Sequence, residues 1–254
     1  EDWDVMYVGY SPSGRYRVSG INNDARTVVT LEDLTTGRDI ILKNVPEGDL
    51  SQVRFNRDES AIAFGLYRDT APYDVYHVPL NADATRLTRA LNPVIDSNLM
   101  VEGDVVRFAS YDGLPIPGIL YKPREASAEN PAPALVWVHG GPGGQSRKGY
   151  SAVIQHLVNH GYAVYQINNR GSSGYGKTFS HLDDLKHGEA DLGDVVASRA
   201  FLAAYEWIDG ERVGIIGGSY GGYMVAAALA FEPESFEVGI NIFGVTNWLR
   251  TLES

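Results

Sequence analysis

With 254 residues, 44% of them hydrophobic and 21% charged, the chain has enough apolar material for a substantial core in one or two domains, which excludes a disordered polypeptide. A formal net charge of −11 argues against nucleic acid as the main partner, and the absence of cysteine excludes disulfides and thiolate metal sites. No apolar run reaches the length of a membrane span, and the chain starts at Glu1 without a signal peptide. The expectation is therefore a cytoplasmic protein with no membrane partner, whose natural start is removed or missing.

The first ninety or so residues read as all-β with an internal repeat. The run from Tyr10 to Val18 lines up with the run from Phe55 to Ala63 at a spacing of 45 residues, and Val28–Leu34 matches Asp74–Leu80 at a spacing of 46. Each copy offers an aromatic, a polar turn, an alternating strand, a second strand and another turn, a period that suits a four-stranded propeller blade. Two blades cannot close a ring, so either further blades precede them or the repeat is a coincidence of two β-meanders. His77 lies within an alternating strand and reads as structural.

Asn92–Gly103 reads as the connection between residues 1–95, a partial propeller of about two blades, and residues 96–254, the beginning of a second domain. In that second domain Asp104–Ser110 and Ile116–Tyr121 form a hairpin across Tyr111-Asp112-Gly113, and the proline-containing stretch Lys122–Pro133 is a surface loop. Strands Ala134–Val138, Ala163–Asn168, Val213–Ile216 and Val238–Ile242 then alternate with helices near Tyr150–His160, Asp191–Trp207 and Tyr223–Ala230. This alternation predicts a parallel sheet covered on both faces, an α/β class.

Two stretches carry chemistry. In Gly217-Gly218-Ser219-Tyr220-Gly221 a serine sits between a buried strand and an Ala-rich helix. In that context G-x-S-x-G reads as a nucleophile elbow, with the flanking glycines letting strand and helix approach. An inert tight turn is the alternative. His139-Gly140-Gly141-Pro142-Gly143-Gly144 follows another buried strand and reads as an oxyanion loop, with the amides of Gly141 and Tyr220 as the two donors. A flexible turn over a packed His139 is the alternative there.

The ordered set Tyr111-Asp112-Gly113, His139-Gly140-Gly141-Pro142, Asn169-Arg170-Gly171-Ser172-Ser173-Gly174-Tyr175-Gly176 and Gly217-Gly218-Ser219-Tyr220-Gly221-Gly222-Tyr223, after propeller-type repeats, resembles the prolyl oligopeptidase family of serine peptidases, especially its acylaminoacyl-peptidase-like branch. The resemblance implies an α/β-hydrolase sheet, here incomplete, preceded by remnant blades of a β-propeller. It implies acyl transfer from short peptides through Ser219, with Gly141 and Tyr220 as the oxyanion hole, Trp248 in the wall of the specificity pocket, and no metal or organic cofactor.

One requirement is unmet in this sequence. A serine nucleophile needs a histidine base oriented by a carboxylate, and in α/β-hydrolases both follow the serine. No histidine follows Ser219, and the only carboxylates after it are Glu232, Glu234, Glu237 and Glu253. His156 and His160 stand four apart, but Leu157 occupies the position where a zinc protease needs glutamate. His181, Asp183, Asp184 and His187 form a polar cluster that reads most simply as surface loop and helix start, as does Asp191, and His139 belongs to the glycine loop. The expectation is a peptidase fragment, inactive alone, whose partners are a peptide substrate, the remainder of the same enzyme or a second chain supplying it, and other copies in a homo-oligomer. An esterase on the same scaffold and a catalytically inactive chain are the alternatives.

Overall fold

The computed structural model describes residues 3–253, and they form two compact units, one running up to Glu102 and including Arg147–Ala152, the other comprising Gly103–Ser146 and the residues from Val153 onward. Each unit has its own hydrophobic core.

The first unit consists of two four-stranded antiparallel meanders. One runs through β1 (Asp4–Tyr10), β2 (Tyr16–Asn23), β3 (Arg26–Asp33) and β4 (Arg38–Asp39), the other through β5 (Asp49–Phe55), β6 (Ala61–Arg68), β7 (Ala71–Pro79) and β8 (Thr85–Arg86). The repeat expected from the sequence is visible strand by strand, since β1 and β5 end at its paired aromatics, Tyr10 and Phe55. Along β2 the buried Tyr16 and Val18 alternate with exposed Arg17, as a half-buried strand requires. Its hairpin to β3 turns at Asp24 and Ala25, both at positive φ (53° and 67°), the pairing that matches the right-handed twist of the flanking strands. Tyr16, Val18 and Leu31 pack with Ile62, Phe64, Leu66, Tyr76 and Val78 in one core. The segment Arg147–Ala152 belongs here because buried carboxylates hold it. Arg147 donates to Asp49 and Thr27, both at 2.8 Å, while Asp69 takes the Lys148 ammonium at 3.2 Å and the Gly149 amide at 2.7 Å.

The second unit is built on a six-stranded sheet. Its elements in chain order are β9 (Asp104–Ala109), β10 (Pro115–Tyr121), β11 (Ala132–Val138), α1 (Ala152–Asn159), β12 (Ala163–Ile167), α2 (Gly176–Ser180), α3 (Ala190–Ala203), β13 (Ile208–Gly218), α4 (Tyr220–Phe231), β14 (Gly239–Ile242) and α5 (Trp248–Glu253). The strand order is β14-β13-β11-β12-β10-β9. β14, β13, β11 and β12 are mutually parallel, and the hairpin β9–β10 joins them antiparallel along β12, so the sheet is mixed and mostly parallel. The parallel strands are apolar on both faces, and Val136, Val138, Ala163, Tyr165, Ile167, Val213 and Ile215 are nearly solvent-free. The helix expected to reach Trp207 ends at Ala203, and turns through Tyr205 lead into a β13 that starts at Ile208 and is longer than the expected strand. None of the helices described is long and apolar enough to cross a membrane.

This strand order creates a switch point. From β11 the chain crosses to β12 on one side, then returns over β11 to β13 and moves on to β14 on the other side. The loops leaving the carboxyl ends of β11 and β13 therefore diverge, and such crevices are where open α/β sheets bind ligands. The glycine loop and Ser219 are those two loops.

Close approach of α4 to β11 shapes the crevice. A Cβ on Gly221 would lie 2.1 Å from the Val138 carbonyl oxygen and 2.9 Å from that of His139, both backbone atoms that cannot step aside. Gly221→Ala should therefore lower unfolding free energy by about 2 kcal/mol or more, measured by urea denaturation. A variant with unchanged midpoint would show that α4 does not pack where the structure puts it.

Candidate active site

Adjacent parallel strands carry the two loops, with Val138 of β11 paired to Gly217 of β13, so the segments that follow emerge side by side. Ser219 is solvent-exposed and adopts φ 55°, ψ −118°, a conformation in which non-glycine residues are strained. Its backbone is held by three hydrogen bonds: its amide donates to the Ile242 carbonyl at 3.1 Å, and its own carbonyl accepts from Tyr223 and Val245. The elbow is thus pinned from α4 and from the segment after β14. A Cβ on Gly140 would lie 3.5 Å from Ser219 Cβ and 3.9 Å from Ser219 Oγ, which makes Gly140 the loop residue bordering the hydroxyl. Among the described residues, Ser219 Oγ and the amides of Gly141 and Tyr220 make no hydrogen bond. An unpaired first amide is inherent in a helix N-terminus, where the dipole also favours negative charge.

The glycine loop is clamped by the segment after β12. The His139 ring, part-buried, donates from Nδ1 to the Gly140 carbonyl at 2.8 Å, leaving Nε2 to face Ser172 Oγ, also at 2.8 Å. The Ser173 amide donates to the Gly144 carbonyl at 3.0 Å, and Asn168 bonds both the amide and the carbonyl of Ser146. That clamp is itself fixed by Arg170. Its guanidinium donates to Asp194 through Nε at 3.0 Å and Nη2 at 2.8 Å, grips Asp112 at 2.9 and 3.0 Å, and stacks over Tyr111 at 4.6 Å. Asp194, with no solvent exposure, also accepts from Ser110 Oγ at 2.6 Å. In the sequence Arg170 and Asp112 stand only as members of separate motifs and Asp194 carries no signal, because the three residues are far apart along the chain.

The histidines are all engaged away from the serine or lie on other elements. His156 and His160 lie ring against ring at 4.0 Å, tilted by 37°, at the exposed end of α1, His181 pairs with Asp184, and His77 is in β7 of the first unit. His187 Nδ1 donates to Asp183 at 2.9 Å. Asp183 departs from the surface-loop expectation, being only 2% exposed, and a Cβ on Gly171 would strike its carboxyl group. Asp191, expected at a helix start, is indeed in the first turn of α3, but its carboxylate is fully buried and also accepts the Tyr220 hydroxyl. Burial pushes the Asp191 carboxyl pKa up, against hydrogen bonds that pull it down. Asp183, His187 and Asp191 bring metal-ligating atoms within 4.8 Å of one another, with each group already hydrogen-bonded inside the protein. Trp248, at the start of α5, packs edge-on against Tyr223 at 5.5 Å and against Tyr220 at 5.9 Å.

Residues 148–254 match the model of the prolyl oligopeptidase family. The chain is 31% identical over 219 residues to dipeptidyl aminopeptidase BIII of Pseudoxanthomonas mexicana, covering 84% of this chain and 32% of the relative. It is 34% identical over 203 residues to mouse dipeptidyl peptidase 8, covering 77% of this chain and 22% of that one. The chain thus spans a third or less of the length of these relatives. Among solved structures, acylaminoacyl peptidase of Pyrococcus horikoshii superposes with a TM-score of 0.81 at 26% identity, over 100% of this chain and 39% of that one. A puromycin-hydrolyzing peptidase of Mycobacterium tuberculosis shares the fold with a TM-score of 0.86 at 22% identity, over 98% of this chain and 38% of that one.

Two outcomes follow from this geometry. Relief of the positive φ should make Ser219→Gly more stable than Ser219→Ala by about 1 kcal/mol, read from paired thermal melts; equal melting temperatures would contradict the strained elbow. Burial, partly offset by its bond to Gly140, holds the His139 pKa below the ordinary 6.5. On acidification the unfolded chain takes up this proton first, so the contribution of His139 is present above about pH 6.5 and is lost as pH falls below it. Between pH 7.5 and 5.5, His139→Gln should lose less stability than the parent protein, and a parallel loss in both would contradict the burial.

Proposed function

We propose, from the premise that this chain belongs to the prolyl oligopeptidase family, that Ser219 is the nucleophile of a serine peptidase acting on short peptides. The single observation supporting this most directly is the exposed Ser219 hydroxyl on a positive-φ turn at the switch point, bordered by the glycine loop.

In this reading Ser219 Oγ attacks the scissile carbonyl while a histidine base takes its proton. The carbonyl oxygen becomes an oxyanion held by the Gly141 and Tyr220 amides, and collapse expels the amine, protonated by the same imidazole. Water, deprotonated in turn, then releases the acyl group from the serine. Trp248, beside Tyr220 and Tyr223, walls the pocket for the residue preceding the scissile bond. The base and its carboxylate come from residues outside this sequence, since no imidazole among the described residues bonds Ser219 Oγ. The partners are then the peptide substrate and the part of the enzyme that supplies this pair, and the chemistry requires no metal or organic cofactor.

Labelling with a fluorophosphonate probe tests the assignment. The protein in its natural length should label rapidly and cleave aminoacyl p-nitroanilides, Ser219→Ala should do neither, and the 254-residue chain should label at least about a hundredfold more slowly. Rapid labelling that survives Ser219→Ala, or a natural-length protein that never labels, would remove Ser219 from the chemistry.

A further inference from the structure

The Tyr220 side chain has a role that a backbone amide donor does not require. Its ring is 2% exposed and walled in by His187 at 5.9 Å, Tyr223 at 5.5 Å and Trp248 at 5.9 Å. Its hydroxyl donates to Asp191 Oδ2, from a residue 29 positions away. Asp191 cannot shift to follow it, because Oδ1 of the same carboxylate accepts the Gly188 amide at 2.7 Å and the Leu192 amide at 2.9 Å. One oxygen is thus fixed to the first turn of α3 and the other to the first residue of α4.

Energetics argue that this link does not serve stability. A fully buried carboxylate is costly, and its attraction to neutral donors only partly offsets the loss of water. Asp183 stands nearby as a second buried carboxylate, with His187 as its hydrogen-bonding neighbour. What the link does supply is a fixed direction. Tyr220 directly follows Ser219, whose φ of 55° stores strain that would relax if the next residue could rotate. A charge-assisted bond from a walled-in phenol to an immobile carboxylate opposes that rotation.

We propose that Asp191 is a positioning residue for acyl transfer, acting through the Tyr220 hydroxyl to hold the first turn of α4 so that the Tyr220 amide faces the oxyanion. This rests on the reading of Ser219 as nucleophile and of Tyr220 as an oxyanion donor. Oxyanion contacts strengthen as charge develops, so loss of aim lowers kcat and leaves KM in place. Lost packing would instead lower the amount of folded enzyme.

The test uses the natural-length protein, with p-nitrophenyl acetate as substrate and rates normalised to active sites titrated by fluorophosphonate. Tyr220→Phe keeps the ring and removes only the hydroxyl. It should lower kcat on the order of tenfold, lower kcat/KM by the same factor, and leave KM within about twofold. Asp191→Asn should lower kcat similarly in the parent and by less than about twofold in the Tyr220→Phe background, because both changes break one link. Wild-type kcat in Tyr220→Phe, or losses that multiply in the double variant, would overturn the proposal. If Asp191→Asn does not fold, Tyr220→Phe decides alone. A parent protein that does not label at Ser219 fails the underlying reading as well, whereas one that labels and turns over equally with and without the Tyr220 hydroxyl fails this inference only.

Discussion

Backbone meeting backbone at the end of β11 is the constraint on which the candidate site depends. Gly221 lets the first turn of α4 come against the carbonyls of Val138 and His139, and Gly217 lets the end of β13 come against Gly221. With side chains at these positions the helix would stand off the sheet, and Ser219 would leave the border of the glycine loop. Strand order does the rest, because β11 and β13 send their loops in opposite directions and leave a crevice between them.

Around that crevice the protein places its most buried charges. Asp194 fixes Arg170, whose segment clamps the glycine loop, and Asp191 fixes Tyr220 beside the serine. Neither carboxylate is exposed at all. Buried ionic and polar links of this kind contribute little net stability but can specify one geometry among several. Their concentration behind the two loops accords with a site whose backbone amides must be held still.

Much of the architecture was legible in the sequence. The spacing of 45 residues between Tyr10 and Phe55 reappears as equivalent strand ends in two meanders, and the apolar runs before His139 and Ser219 are the buried strands β11 and β13. These features were readable because they are local, written in the alternation and in the glycines. The antiparallel docking of β10 onto β12, the burial of Asp183 and the return of Arg147–Ala152 to the first unit were not legible. Each depends on partners apart in sequence: Gly118 against Ile167, Gly171 against Asp183, and Asp69 for Gly149. A lone aspartate in a polar run looks solvated until the fold removes its water.

The central claim is that the Ser219 hydroxyl and the Gly141 and Tyr220 amides converge on one reacting carbonyl. A crystal structure of the natural-length protein bearing a peptidyl boronate tests it most directly. The account predicts a bond from boron to Ser219 Oγ and one boronate oxygen within about 2.7–3.1 Å of both amide nitrogens. A boronate bound to another residue, or an oxygen turned away from both amides, would contradict it.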